Sequence, residues 1–591
     1  MRFFRWLGHI TASVLNGVAK IVVALVLLFL VLLAVGLVQG DGMPKNMILS
    51  LDLRQAIADS DSSTALPFTG QKLTVMNLVL GLDAASRDAR VKVVFMRLGN
   101  GAVGLAQAEE IAAALARFRA QKKFVIAQAT SFAGAGMGDY VTAAAADQIW
   151  MQPKSDFRVS GAAAGEIFLR GAFEKIHAEP QIAKRAEYKS AADMYMEKNM
   201  TPADREQLTA LLRSWYDAAV GAVASARNLT PAAVAASFEA SPQFAEEAMA
   251  AKLVDRIGFD DDALGAARGR AQGDTKTRIR AVKMGDYIKN QDFNAVPNAN
   301  VAVIEAAGEI NDGTAGDSVF STASGIASDD LSATIRRATR DKAIKAIVLR
   351  VDSPGGSVTA SDQILDAVKK AQAAGKPVVV SMGALAASGG YYISASANRI
   401  VAQPATLTGS IGVLTGKVSF GKSLDMVGVG FDEVAQGKNA LMDSALTPYT
   451  PEQWAMLKKQ ADVIYQDFLQ KVSAGRKIPL ARVEAAAKGR VWTGADAKGQ
   501  GLVDELGGFW TARDAAARLA NIQSPVLKVY PRRSGIFAGL AGLLGRAGAS
   551  MGILEKLGAL MALPGVNGAM DALIQAPRGR VELRSPNLPH G

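Results

Sequence analysis

Ile344-Lys-Ala-Ile-Val-Leu-Arg-Val351, followed directly by Asp352-Ser-Pro-Gly-Gly-Ser357, reads as a β-strand that ends in a glycine-rich turn. Amphipathic helices are expected on either side of it, over 329–340 and 361–374. Two further β-branched runs, Val301-Ala-Val-Ile304 and Pro377-Val-Val-Val-Ser381, keep the same rhythm. Short strands that alternate with helices pair in parallel through right-handed crossovers, so the class is α/β. In such sheets sites form outside the carboxyl ends of the strands, where these glycine-rich turns lie.

Working outward, the chain repeats itself. Arg87 to Leu98 answers Arg340 to Val351 at an offset of 253, Asp147 to Pro153 answers Asn398 to Pro404 at 251, and Leu253 to Gly258 answers Leu502 to Gly507 at 249. Three landmarks in order, with small drifts of register, indicate duplication of a whole domain rather than a solenoid of short units. The boundaries follow as 1–42 for the N-terminus and an anchor, 43–295 and 296–525 for the two repeats, and 526–591 for an apolar tail.

The strand ending at Ser381 leads to a second glycine-rich loop, Met382-Gly-Ala-Leu-Ala-Ala-Ser388-Gly-Gly-Tyr-Tyr392. Ser388 lies between small residues and a glycine pair, the surroundings in which a substrate can reach a nucleophilic hydroxyl. Gly355 and Gly356 can present backbone N–H groups without side-chain obstruction, as an oxyanion hole requires, and Gly389 lets the chain turn sharply. The 591 residues hold only three histidines, His9, His177 and His590. His177 reads as a polar surface residue with no Asp or Ser spaced to serve it. The base for Ser388 is therefore expected to be a lysine, which needs no metal or cofactor.

Composition narrows the setting. At 591 residues the chain exceeds one ordinary core. The absence of cysteine removes disulfides, thiol catalysis and thiolate metal sites. No His-Glu-x-x-His motif suggests a zinc hydrolase, and Gly104 and the glycines near it do not make a phosphate loop, since no Gly-Lys-Ser/Thr follows them. The net charge of +11 is scattered rather than clustered with aromatics, which argues against nucleic acid and favours anionic lipid. Ile21 to Val38 is apolar and uncharged, near the lower limit for a bilayer-spanning helix, with Arg2, Arg5 and Lys20 before it. The positive-inside bias then puts the N-terminus in the cytoplasm and the bulk of the chain across the membrane. In the tail, Ile536 to Leu544 and Met551 to Leu563 are either packing helices or helices lying on a membrane surface.

Asp352-Ser-Pro-Gly-Gly-Ser357, Met382 to Tyr392 and Leu407-Thr-Gly-Ser-Ile-Gly412 resemble the signature loops of the signal peptide peptidase A family, also called protease IV. The resemblance runs from the anchor to about residue 525 and is to the long, duplicated bacterial form. It implies two tandem repeats of the Clp and crotonase type behind a transmembrane helix. It also implies a Ser-Lys endopeptidase acting on hydrophobic signal-peptide remnants, held as a homotetramer in the inner membrane with its catalytic part on the periplasmic side. Carried over, the nucleophile is Ser388 and the base is Lys189, in Glu187-Tyr-Lys-Ser190, with Ser410 as an orienter of the lysine.

The internal offsets sharpen this. Ser388 falls opposite Met137, and Gly355 and Gly356 fall opposite Ala102 and Val103, so the first repeat lacks both nucleophile and donor turn. Lys189 falls opposite Lys438, which is the competing candidate for the base, because unduplicated relatives take theirs from that equivalent position. A crotonase-like acyl-CoA enzyme and a non-catalytic membrane scaffold remain as alternative functions.

Overall fold

The computed structural model describes residues 43–60, 73–132, 136–272, 279–291, 293, 296–314, 325–530 and 582–584. The expected anchor over 21–38 and the two apolar stretches of the tail lie outside these residues. Among the described residues no helix is long and apolar enough to cross a membrane.

The decisive strand spans Ala346–Ser353 and is buried along nearly its whole length. Near-continuous apolar sequence is what a parallel strand with both faces covered requires. It pairs in parallel with Val301–Ala307 on one side and Val378–Ala387 on the other. The latter strand runs six residues beyond the expected Ser381 and delivers the chain directly to Ser388. The following helix begins at Val358, three residues earlier than expected, because the Ser357 side chain caps it by accepting from the Ala360 amide.

Both repeats build the same sheet. In the first, the order is Arg256–Ile257, Gln148–Met151, Phe124–Ala129, Val91–Leu98, Met47–Asp52 and Arg280–Lys283, all parallel. In the second, Glu505–Leu506, Arg399–Ala402, Val378–Ala387, Ala346–Ser353, Val301–Ala307 and Leu527–Tyr530 occupy the corresponding places. The edge strand Leu527–Tyr530 carries the second sheet past residue 525, where the sequence placed its end. The repeats also share details: Tyr140 donates to the Leu253 carbonyl at 2.8 Å, and Tyr391 to the Leu502 carbonyl at 3.0 Å.

The two sheets are not independent bodies. One apolar cluster joins Val94, Leu115 and Tyr140 of the first repeat to Val348, Val379 and Phe509 of the second. Within it Arg350, 2% exposed, donates to Asp59 and Glu110 of the first repeat and to Ser381 beside it. A second link is a crossing strand: Glu179–Arg185 leaves the first repeat and pairs antiparallel with Val413–Ser419 over seven residues. This crossing brings the residues just after it, including Lys189, into the second repeat.

Candidate active site

Ser388 sits between the end of its strand and the short helix Gly389–Ser394, with φ of 55° and ψ of −116°. A positive φ is strained for a residue with a Cβ and is held here by the surrounding hydrogen bonds. The Ser388 amide donates to the Gly409 carbonyl at 2.8 Å, and its own carbonyl accepts from the Tyr392 amide at 2.8 Å. The side chain is thereby aimed away from the helix and toward Lys189.

Lys189 Nζ lies 2.8 Å from Ser388 Oγ, 2.9 Å from the Ser410 carbonyl and 3.0 Å from Ser410 Oγ. Ser388, Lys189 and Ser410 are all fully buried. Burial without a carboxylate partner pushes the Lys189 ammonium well below its usual range. Its aliphatic chain threads between two glycines: a Cβ at Gly412 would meet Lys189 Cδ at 3.2 Å, and one at Gly489 would meet Lys189 Cβ at 2.6 Å. Docking of the lysine loop is completed by the Tyr188 amide donating to the Lys488 carbonyl at 3.0 Å and by Gln207, which donates to Tyr188 O and Ser190 Oγ.

The two glycine-rich loops meet at the serine. A Cβ on Gly389 would come within 3.0 Å of Gly355 Cα and 3.1 Å of the Gly356 nitrogen. Gly355 and Gly356 have φ of 110° and 149°, backbone that glycine adopts without strain. This close approach brings the two loops together next to Ser388, where the Gly355 amide donates to Ser353 Oγ at 3.2 Å.

Other sequence candidates fall elsewhere. Lys438 is exposed, in the irregular segment between the helices Gly421–Asp425 and Pro451–Arg476. His177 is exposed at the turn before the crossing strand. In the first repeat the close approach persists, since a Cβ on Gly138 would meet the Val103 carbonyl at 2.0 Å. There, however, the Asp139 carboxylate accepts from the amides of Gly99, Gly101 and Val103 at 2.8, 2.9 and 2.9 Å. By the 251 offset Asp139 stands where the second repeat has Gly390. The degenerate copy has therefore filled its amide-lined turn with its own anion, which the internal comparison could have exposed as an acid opposite a glycine. Gly412 and Gly489 also escaped sequence reasoning, because the need for space at those positions exists only once Lys189 passes between them.

Comparison with known proteins identifies the family. The profile of peptidase family S49 matches residues 117–273 and 370–523, and that of Clp protease matches 324–407. Protease 4 of Salmonella typhi is 32% identical over 557 residues, covering 89% of this chain and 87% of that protein. The chloroplastic serine protease SPPA of Arabidopsis thaliana is 29% identical, covering 92% and 80%. Protease 4 of Haemophilus influenzae is 31% identical, covering 76% and 74%. These matches favour a serine endopeptidase over an acyl-CoA enzyme or a scaffold. With the matched profile covering more than half of its length in two copies, the chain belongs to peptidase family S49.

Proposed function

We propose that Ser388 and Lys189 form the catalytic dyad of this serine endopeptidase, with Ser410 orienting the lysine. The observation that carries this is the 2.8 Å approach of Lys189 Nζ to Ser388 Oγ in a fully buried site. A lysine in water, with a pKa of about 10.4, is protonated at neutral pH and cannot accept a proton. Burial favours the neutral amine, whose lone pair faces the serine while its two N–H bonds are directed to Ser410 O and Oγ. Ser388 Oγ attacks the peptide carbonyl as its proton passes to Nζ. Backbone amides of Gly356 and Gly389, from the loops that meet there, hold the oxyanion. The ammonium then protonates the leaving amine, and water, deprotonated by the same lysine, hydrolyses the acyl-enzyme. Exposed Lys438 is not used.

The preferred substrates are hydrophobic, extended peptides such as signal-peptide remnants. A cleft of about 670 Å³ supports this: it opens beside Ser357 and is walled by Val358, Met456, Val463 and Ile464. The neighbouring strands offer backbone pairing, which fixes an extended peptide while pockets read alternate side chains. The apolar run over 21–38 anchors the protein once in the inner membrane, with the catalytic part on the periplasmic side.

Assembly as a homo-oligomer, a tetramer by resemblance, is supported by the internal symmetry. By the 249 offset the crossing strand Glu179–Arg185 corresponds to residues 428–434. In that region Met426, Val427, Val429, Phe431 and Val434 are exposed. By the 251 offset its acceptor Val413–Ser419 corresponds to residues 162–168, where Ile167 is exposed. Pairing of 428–434 of one copy with 162–168 of the next would repeat between copies the contact already made within one.

The function is tested by assaying wild type, Ser388→Ala, Lys189→Ala and Lys438→Ala on a hydrophobic peptide ester. Losses of about 10⁴-fold in kcat are expected for the first two variants and less than about 3-fold for the third. Full activity in Ser388→Ala, or loss in Lys438→Ala alone, would overturn the assignment.

A further inference from the structure

The long helix Pro202–Arg227 of the first repeat lies along the edge strand Val491–Thr493 of the second. Arg490 donates to Glu206 at 2.7 Å, the hydroxyls of Ser214 and Thr493 are 2.7 Å apart, and the Trp215 indole donates to the Ala405 carbonyl at 2.9 Å. Gln207, fully buried on this helix, touches the frame of the proposed site on both sides. Its Oε1 accepts from the Val491 amide at 3.2 Å, which turns Nε2 toward the lysine loop. Nε2 lies 3.2 Å from the Tyr188 carbonyl, 3.0 Å from Ser190 Oγ and 3.0 Å from Asp204 Oδ1. Tyr188 and Ser190 flank Lys189, so the side-chain amide grips the chain on either side of it. Val491 in turn pairs with Gly409, whose carbonyl accepts from the Ser388 amide. One side chain thus ties the backbone of the lysine to the strand that holds the serine.

We infer that Gln207 is a positioning residue for the reaction, one that holds Lys189 at hydrogen-bonding distance from Ser388 and keeps water from its amine. The inference rests on the reading of these two residues as the dyad. The duplication supplies an internal comparison. By the 249 offset Gln207 corresponds to Met456 and Lys189 to Lys438, and both counterparts are exposed. A thioether cannot donate to a lysine loop, so the bridging amide is present where the lysine is buried and absent where it is not. Lys189 Nζ hangs on a flexible four-carbon stem, and its place is set by where the backbone is held. Loss of the bridge frees the residues on either side of Lys189 and strands the buried Val491 amide without its acceptor. A displaced amine transfers protons poorly, and water that reaches it favours the ammonium.

The test compares full-length wild type with Gln207→Met, which keeps the volume and removes the bridge, and with Ser190→Ala, a milder change that removes one acceptor from the lysine loop. On a short peptide ester, Gln207→Met is expected to lose about 10- to 100-fold in kcat with KM within about 2-fold, and Ser190→Ala about 2- to 5-fold in kcat. The acid limb of kcat/KM should move to higher pH in both, by at least about 0.5 unit in Gln207→Met, as the amine regains solvent. A merely structural residue would lower the melting temperature and leave that limb in place, and this outcome would overturn the proposal. The amine is also read without catalysis, by urea unfolding of Gln207→Met against the double variant Gln207→Met with Lys189→Met over a range of pH. The pH at which their stability difference begins to close should lie above its value for wild type against Lys189→Met. Full activity in Lys189→Ala would overturn the dyad itself. An inactive Lys189→Ala beside an unmoved limb and an unmoved onset would overturn only the role of Gln207.

Discussion

Lys189 and Ser388 are 199 residues apart in sequence and belong to different repeats, yet Nζ and Oγ are 2.8 Å apart in a site with no exposed surface. The crossing strand Glu179–Arg185 makes this meeting possible by carrying the lysine across the boundary between the repeats. A site divided in this way is completed only when both halves of the duplication have docked.

Burial of Lys189 ties activity and stability to pH with definite signs. The folded pKa lies well below the unfolded value of about 10.5, so between the two the unfolded chain binds more protons. The destabilisation from keeping this amine neutral is fully present below the folded pKa and fades as pH rises toward 10.5. Denaturant unfolding of wild type against Lys189→Met, in buffers from pH 8 to 10, should show wild type gaining up to about 1.4 kcal/mol per pH unit relative to the variant. In the same range kcat/KM should have levelled off, having risen at lower pH with one ionisation. A flat stability difference would show that the lysine is charged in the fold.

Ser410→Ala removes one of the two Ser410 contacts that aim the amine and leaves the carbonyl at 2.9 Å. A drop of about 10- to 100-fold in kcat with KM little changed is expected for a group that acts by positioning the base. Steady-state kinetics on the peptide ester measures this, and an unchanged kcat would remove Ser410 from the mechanism.

Gly489→Ala adds a methyl group 2.6 Å from Lys189 Cβ, at a position whose φ is 78°. Both the clash and the backbone strain push the lysine loop away from Ser388. The variant should fold with a lowered melting temperature and lose at least about 10-fold in kcat. An Ala substitution at Gly499, where an added Cβ meets nothing within 4 Å, is the matched control.

Arg350→Met leaves the carboxylates of Asp59 and Glu110 buried without their cation. Breaking a buried ion pair from one side costs about 3–5 kcal/mol. Urea denaturation should show that loss, and adding Asp59→Asn and Glu110→Gln to the same chain should recover part of it. Full stability in the single variant would mean that the junction between repeats rests on apolar packing alone.

Association through residues 428–434 predicts that Val429→Glu with Val434→Glu dissociates the oligomer by charging an apolar edge. Sedimentation velocity should show a smaller species, while Ser388 and Lys189, which meet within one chain, keep their activity on a short ester. An unchanged sedimentation coefficient would place the interface elsewhere.

The α/β class, the duplication and the loop bearing Ser388 were legible in the sequence because each is local. Strand and helix periods, glycine turns and the 249 to 253 offsets are properties of neighbouring residues or of repeated order. The offsets also showed that the hydroxyl had no twin, since Met137 stands opposite. They could not separate Lys189 from Lys438, because equivalence by duplication makes the two lysines interchangeable on paper. The local Tyr188-Lys-Ser-Ala context favoured Lys189 by resemblance, and the tertiary structure places the two differently: one follows a strand that pairs across to the other repeat, and the other is exposed in an irregular segment. Only the tertiary structure shows the glycines that make room for Lys189, the Arg350 cluster at the junction and the C-terminal strand Glu582–Arg584 beside Gly356. Each depends on side chains or backbones that are distant along the chain and become neighbours only when the two sheets pack, so no local pattern marks them.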